Sequence, residues 1–299
     1  MKLSIITINY NNCDGLKKTI ESVFCQSYND FEYIVVDGGS IDGSREYIIE
    51  NENGWNSKWK NEVNINNFIF KWISEPDNGI YNAMNKGIAI AKGEYCLFLN
   101  SGDTLNENIL IKAIKECSGE DIIYFNTYLI YNYSNYEVLK YPSSLSMKNF
   151  YKTTIGHQST FIKTKLFNKY GLYNESNMLH SDIEFWIKSI IIGNCSTKYV
   201  DLILSYYDMG GRSSKQNEFS DIEFQSILSR YLPKLVLEDY EYWYNKERES
   251  KILMWYKRHR FLYGLLVFFY RVVNYFMRLS KNSHKSFLSK GNALKLKIK

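Results

Sequence analysis

Four short apolar runs each feed into a polar loop with an amide or carboxylate at or just past its end. Residues 3–8 lead into Asn9-Tyr10-Asn11-Asn12, and residues 31–36 into Asp37-Gly38-Gly39-Ser40. Residues 72–74 lead into Glu75-Pro76-Asp77-Asn78-Gly79, and residues 95–99 into Asn100-Ser101-Gly102-Asp103. Between them, residues 16–24, 44–51 and 80–91 carry helical spacing, with Gly93 just past the last. Strands that alternate with helices predict an α/β fold: a mostly parallel sheet flanked by helices. In such a sheet ligands bind outside the carboxyl ends of the strands. Asn9, Asp37, Asp77 and Asp103 are therefore expected to meet at one crevice.

The rest of the chain is less regular. Segment 52–71 is Asn-rich and is expected to be a surface insertion. Residues 121–136, 157–162 and 198–207 read as strands, residues 145–152 as a connection, and residues 165–170, 181–192 and 219–280 as helices. At roughly 100–200 residues per domain, 299 residues make one large domain or two smaller ones. Apolar residues at 45% and charged residues at 23% are globular proportions and exclude disorder over most of the chain.

Five cysteines, at 13, 25, 96, 117 and 195, are odd in number and lack CxxC spacing. That argues against a disulfide framework and a thiolate zinc site, and for reduced thiols in a cytoplasmic protein. The N-terminus turns polar after a few residues and lacks the apolar core of a signal peptide. No GxGxxG follows a strand and no GxxxxGK[ST] occurs, which disfavours a dinucleotide-binding oxidoreductase and a P-loop ATPase.

Several strand-end motifs suit particular chemistry, and each also has a purely structural use. The Asp103 carboxylate, beside small residues, can approach a divalent cation bridging two phosphates; Asn100-Ser101-Gly102-Asp103 is equally a plain β-turn. The backbone N–H groups after Asp37 can hold an anion, and Asp37 can accept from a donor such as uracil N3–H; Ser40 and Asp42 are also natural helix caps. Asp182, at a helix start, can act as a general base on a sugar hydroxyl or simply serve that helix end. His157 is a candidate ligand or a hydrogen-bonded core histidine. Gly210-Gly211-Arg212-Ser213-Ser214 can close over a diphosphate through Arg212, or serve as a linker.

Five segments, in this order, resemble a family 2 glycosyltransferase with the GT-A fold. They are Ser4-Ile5-Ile6-Thr7-Ile8-Asn9-Tyr10-Asn11, residues 32–43, residues 74–88, residues 95–103, and Gly156-His157-Gln158-Ser159. The third and fifth resemble the branch that builds bacterial surface polysaccharides. The resemblance runs from Leu3 to about Ser214, so it implies a catalytic domain over residues 1–215 and a helical basic extension over 216–299. It implies an inverting transfer of one sugar from a nucleotide donor, expected to be linked to uridine diphosphate (UDP), onto a glycan or lipid-linked glycan. Thr7, Tyr10, Asp37, Asp77, Asn85, Lys86, Ser101 and Arg212 take the donor-binding positions. Asp182 takes the place of the base. Asp103, helped by His157, takes the place of the ligands for Mn²⁺ or Mg²⁺. Here the family's Asp-x-Asp motif has lost its first carboxylate to Asn, leaving Asp103 alone. A thinned metal motif also fits a catalytically inactive nucleotide-sugar or glycan-binding module.

Charge is divided along the chain. Residues 246–299 hold fourteen Lys/Arg against two Glu, a net +12, so within a total of +5 the first 245 residues carry −7. Residues 261–270 form an apolar run of ten, too short for a spanning helix of roughly 20 residues. With Arg258, Arg260, Arg271, Arg278 and Lys281 around it, the segment suits an in-plane helix on an anionic membrane surface. A helix packed on the catalytic domain or a partner subunit is the other reading. The expected location is cytoplasmic, peripheral on the inner face of the cell membrane. The acidic body and the absence of any nucleic-acid module argue against nucleic acid as a partner.

Overall fold

A computed structural model describes residues 1–63, 69–132, 135–151, 154–210 and 218–279. Strands β1 (Leu3–Asn9), β2 (Phe31–Asp37), β3 (Ile69–Ser74) and β4 (Tyr95–Phe98) form a parallel block in the order β3-β2-β1-β4. β1, β2 and β4 are buried along their whole length, as continuous apolar runs in a covered parallel sheet should be. The register pairs Asn9 with Asp37 and Asp37 with Ser74. Three strands thus end in one row.

Helices α1 (Cys13–Phe24), α2 (Ser44–Val63) and α3 (Ile80–Ile90) make the crossovers. Asn12 opens α1 by accepting the Gly15 N–H at 3.1 Å. Leu16, Ile20 and Val23 then form one apolar stripe that packs with Leu3, Ile5 and Tyr33. α3 covers the opposite face, where Gly87 lies so close to Ile6 that a Cβ would collide with it.

The second half contains β5 (Thr104–Leu105), α4 (Leu110–Lys115), β6 (Ile122–Asn132), β7 (Asn135–Leu139), α5 (Met147–Phe150), β8 (Thr160–Lys163), α6 (Lys165–Tyr170), α7 (Ser181–Trp186) and β9 (Thr197–Asp208). The sheet continues β4-β8-β6-β9-β5, with β7 beside β6. β8 opposes both β4 and β6, β9 is parallel to β6, and β5 and β7 oppose their neighbours. Among the described residues six of the nine strands (β1–β4, β6 and β9) therefore point the same way. Phe98, Phe167, Tyr173 and Phe185 form a chain of ring contacts at 4.8–5.6 Å that seats α6 and α7 on the α3 side.

Two local expectations change. Much of the Asn-rich 52–71 segment is regular: α2 runs on through it to Val63 and β3 begins at Ile69. Trp55 anchors the helix by packing on Phe24, Tyr47 and Phe70 at centroid distances of 5.2–5.6 Å. In the expected 157–162 strand, His157–Ser159 is a single 3₁₀ turn, and pairing begins at Thr160.

The chain forms two compact units, Met1–Pro233 and Lys234–Lys299. The compact unit Met1–Pro233 includes α8 (Glu218–Tyr231), which lies past the expected 215/216 boundary. Glu223 accepts three consecutive N–H groups, from Met178, Leu179 and His180, at 2.6–2.9 Å. Buried Glu184 accepts from Tyr231 Oη at 2.5 Å and pairs with Arg230 at 3.3 Å. Glu223→Ala strands three N–H groups and is expected to cost about 2–4 kcal/mol, read as a lower Tm. An unchanged Tm would detach α8 from the first unit.

The second unit consists of α9 (Lys234–Arg258) and α10 (Arg260–Leu279). Phe261, Leu265, Phe268, Phe269 and Val273 of α10 are exposed. No helix among the described residues is long and apolar enough to cross a membrane.

Candidate functional site

The row of strand ends is held together by Asp37. Its Oδ1 accepts from Asn9 Nδ2 at 2.8 Å and Ser40 Oγ at 2.5 Å; its Oδ2 accepts from Ser40 N at 3.0 Å and Ser74 Oγ at 2.8 Å. Burial opposes its ionisation, but the donors on Ser40, Asn9 and Ser74 outweigh that and hold its carboxyl below the ordinary range. With both oxygens doubly occupied, Asp37 here welds β1, β2 and β3. The capping role foreseen for Asp42 is present: it accepts from Ser44 and from the Cys13 N–H at 2.8 Å, joining the starts of α1 and α2.

Outward of Asp37, Tyr10 and Asp77 both lie against Gly38. Tyr10 is 57% exposed. A Cβ on Gly38 would collide with Asp77 Oδ2 and press on the Tyr10 ring. The Gly38 backbone is thus the floor between an exposed aromatic face and a carboxylate, a combination suited to a flat base with N–H donors. Gly38→Ala is expected to weaken nucleotide binding by at least tenfold with little change in Tm. Unaltered affinity would place the base elsewhere.

Asn100-Ser101-Gly102-Asp103 is a β-turn, closed by Asp103 N–H to Asn100 O at 2.9 Å, with Gly102 at φ +107°. The turn carries Asp103 inward to 4% exposure. Its Oδ1 accepts the Asp208 N–H at 3.0 Å, while Oδ2 has no partner. Burial pushes its carboxyl up to about 7; the Asp208 N–H and the nearby His157 oppose the rise, and the Asp208 carboxylate adds to it. Asn100 Oδ1 is a second buried oxygen without a partner.

These orphaned oxygens are hard donors of the kind Mg²⁺ and Mn²⁺ take, and the acidic pair favours a cation. Among the described residues no three His, Cys, Asp or Glu side chains converge in a way that could hold a metal. Asp103 and the Asn100 amide oxygen are the groups here that would hold such an ion.

A hydrogen-bonded chain leads from this turn to Asp182. Asn100 Nδ2 meets His157 Nε2 at 3.1 Å, and His157 Nδ1 meets Asp182 Oδ2 at 3.2 Å. Asp182 Oδ1 accepts from the Ile183 N–H at 2.9 Å and from Tyr81 Oη at 3.3 Å. Donation by Asn100 makes Nε2 the acceptor, so the proton sits on Nδ1, toward Asp182. Asp182 is 7% exposed, at the first turn of α7.

The remaining expected site residues divide. Ser101 lies in the turn, its Oγ 3.3 Å from Asn12 Nδ2. Thr7 is closed inside the sheet face, bonded to Tyr33 Oη at 3.0 Å. Asn85 is engaged by the Tyr173 backbone and Glu175. Lys86 pairs with Glu75 at 2.8 Å. Arg212 lies outside the described residues. Two further groups, Asp208 and Tyr81, had no assigned role. Asp208 ends a strand and enters a Gly-Gly loop, the same signal that marked Asp103; nothing local marks Tyr81.

A mostly parallel sheet flanked by helices is an architecture similar to that of GT-A glycosyltransferases. The sequence profile of glycosyl transferase family 2 matches residues 4–175, and the chain belongs to that family. It is 30% identical over 239 residues to an uncharacterized glycosyltransferase of Mycobacterium tuberculosis, covering 77% of this chain and 85% of that one. A PGL/p-HBAD biosynthesis glycosyltransferase of Mycobacterium bovis is 28% identical over 234 residues, 74% of this chain and 81% of that one.

Solved structures share the fold. Residues 1–349 of Staphylococcus aureus TarS in complex with UDP-GlcNAc superpose with a TM-score of 0.57 at 18% identity, over 80% of this chain and 70% of that one. The overlap amounts to 42% of the longer TarS chain. GalNAc-T7 with UDP, GalNAc and Mn²⁺ gives a TM-score of 0.56 at 14% identity, over 77% and 48% of the two chains.

Proposed function

We propose that this glycosyltransferase is an inverting, metal-dependent enzyme. In this proposal it transfers a sugar from a UDP-linked donor to a glycan or lipid-linked glycan in bacterial surface-polysaccharide biosynthesis. The observation that carries it is a strand-end turn with orphaned oxygens on Asp103 and Asn100, whose Asn100 amide nitrogen is linked through His157 to Asp182. The UDP complexes of the structural neighbours support the donor class.

The base sits between Tyr10 and Asp77, and the diphosphate lies along Ser101 to Asp103. A bound Mn²⁺ or Mg²⁺ supplies neutralisation of the charge on the leaving nucleoside diphosphate. Asp182 takes the proton of the acceptor hydroxyl, and His157 Nδ1–H keeps its carboxylate aligned. The freed oxygen attacks the anomeric carbon opposite the leaving group, and the bond from that carbon to the diphosphate oxygen breaks. One displacement inverts the configuration, as in single-step inverting glycoside hydrolysis. The test is turnover of a panel of UDP-sugars with Mn²⁺, followed by the anomeric configuration of the product. Nucleotide binding without turnover would favour an inactive sugar-binding module, and a retained configuration would remove Asp182 as base.

The second unit supports a place at an anionic membrane surface. Arg260, Arg271 and Arg278 fall within about 20° of one another on the α10 wheel, with Leu265, Phe269 and Val273 opposite. The full chain is expected to float with vesicles of anionic phospholipid, and a chain ending at residue 245 to stay in solution. Equal flotation of the two would remove the membrane role of this unit.

A further inference from the structure

The motif 77–87, Asp-Asn-Gly-Ile-Tyr-Asn-Ala-Met-Asn-Lys-Gly, has the spacing of a donor-binding segment, yet three of its polar side chains reach the other half of the site. Asn85 donates to Tyr173 O at 2.9 Å, accepts the Tyr173 N–H at 3.0 Å and donates to Glu175 Oε1 at 2.9 Å. Asn82 donates to Glu175 Oε2 at 2.9 Å. Tyr81 Oη donates to Asp182 Oδ1 at 3.3 Å and is itself approached by the N–H groups of Ser181 and Asp182. Tyr81 and Asn85 are four residues apart, hence on one face of α3, with Asn82 beside them. That face grips segment 173–182 at two levels.

The same end of α3 adjoins the proposed donor side. The helix begins after Asp77-Asn78-Gly79, where Asp77 Oδ1 accepts the Gly79 N–H at 2.8 Å and Asp77 Oδ2 abuts Gly38. The first two residues of α3 thus stand between the proposed nucleotide site and the base. The opening of α7 has no side-chain cap of its own, since His180 supplies none. Besides Asp182's own bond to the Ile183 N–H and its contact with His157, α3 and α8 tie it down.

We infer that α3 is a coupling element: Tyr81, Asn82 and Asn85 are positioning residues that transmit nucleotide binding at Asp77 to the Asp182 segment. This rests on the assignment of the Tyr10–Asp77 surface as the nucleotide site. A nucleotide that fixes the 77–79 loop fixes the start of α3, and with it the bonds to Tyr173, Glu175 and Asp182. The energy available is the conformational freedom that segment 173–182 loses. Asp182 is then brought into alignment as the donor binds, which keeps the base from acting on water in its absence.

The test is hydrogen exchange on the full-length protein, with and without UDP and Mn²⁺, for wild type, Tyr81→Phe and Asn85→Ala. In wild type, UDP is expected to slow exchange at residues 77–83 and also at 173–183, by about tenfold at each. Tyr81→Phe keeps the ring and loses only the hydroxyl. It is expected to keep the slowing at 77–83 and lose that at 173–183, with a UDP Kd within twofold of wild type. Asn85→Ala should behave likewise; if it fails to fold, Tyr81→Phe alone carries the test. Slowing confined to 77–83 in wild type, or slowing at 173–183 undiminished in Tyr81→Phe, would overturn the coupling. A tenfold weaker UDP Kd in Asn85→Ala would also overturn it, since Asn85 would then be a donor contact. No slowing at either segment would overturn the nucleotide site itself, and the coupling with it.

Discussion

Replacing Asp103 with Asn is expected to raise the Tm of the ligand-free protein at pH 8 and to abolish its response to Mn²⁺. Burial raises the Asp103 carboxyl from 3.8 to about 7 in the folded chain. The folded state therefore binds the proton more tightly than the unfolded state does. The stability linked to this group is fully present below about pH 4 and is lost as the pH rises through 7. At pH 8 the fold carries an ionised carboxylate in a poorly solvated position, at a cost of roughly 3–4 kcal/mol. Asn has the same shape without the charge, so most of that is recovered. For a unit of this size the gain corresponds to about 5–10 °C. At pH 4 the two proteins should melt together. Mn²⁺ should raise the wild-type Tm at pH 8 and leave the variant unmoved. Equal melting at both pH values, or a preserved Mn²⁺ shift in Asp103→Asn, would show that Asp103 is neither a buried charge nor a ligand.

Asp182→Asn is expected to lower the rate of sugar transfer by about 10²–10⁴-fold while leaving UDP affinity within twofold. The side-chain oxygen still accepts from Ile183 N–H and Tyr81 Oη, so the start of α7 keeps its bonds. The substitution removes the carboxylate proposed to take the proton from the acceptor. It also faces His157 Nδ1 with an amide where a carboxylate oxygen stood 3.2 Å away. Retained transfer would remove Asp182 from the chemistry. Loss of the fold with loss of UDP binding would make its role that of holding the start of α7.

The first half of the fold was legible because its signals are local. Each β1–β4 strand is an apolar run with a polar end, and the crossover helices α1 and α3 show their stripes within a dozen residues. That same rule located Asp103 and Asp77. The thin signals were the non-local ones. β5 is two residues long, too short for any periodicity, and exists because Thr104 and Leu105 pair with Tyr206 and Ser205. The helix through Asn-rich residues depends on Trp55 finding Phe24 and Phe70. Asp208 reaches Asp103 across 105 positions, and Tyr81 reaches Asp182 across 101. Asn85 is marked for the donor by its motif; its bonds to Tyr173 and Glu175, 88 and 90 positions away, carry no local signal. Local pattern identifies which residues stand at the sheet's edge. Which of them face each other is decided by register and by helix packing, and these are set over the whole chain.

The central claim is a nucleotide-diphosphate site assembled with a divalent cation at Asp103. Its most direct test is calorimetric titration of the full-length protein with UDP, with and without Mn²⁺, for wild type and Asp103→Asn. The account predicts micromolar binding that tightens at least tenfold with Mn²⁺ in wild type, and binding indifferent to Mn²⁺ in the variant. Absence of UDP binding in every condition, or identical Mn²⁺ enhancement in both proteins, would contradict it.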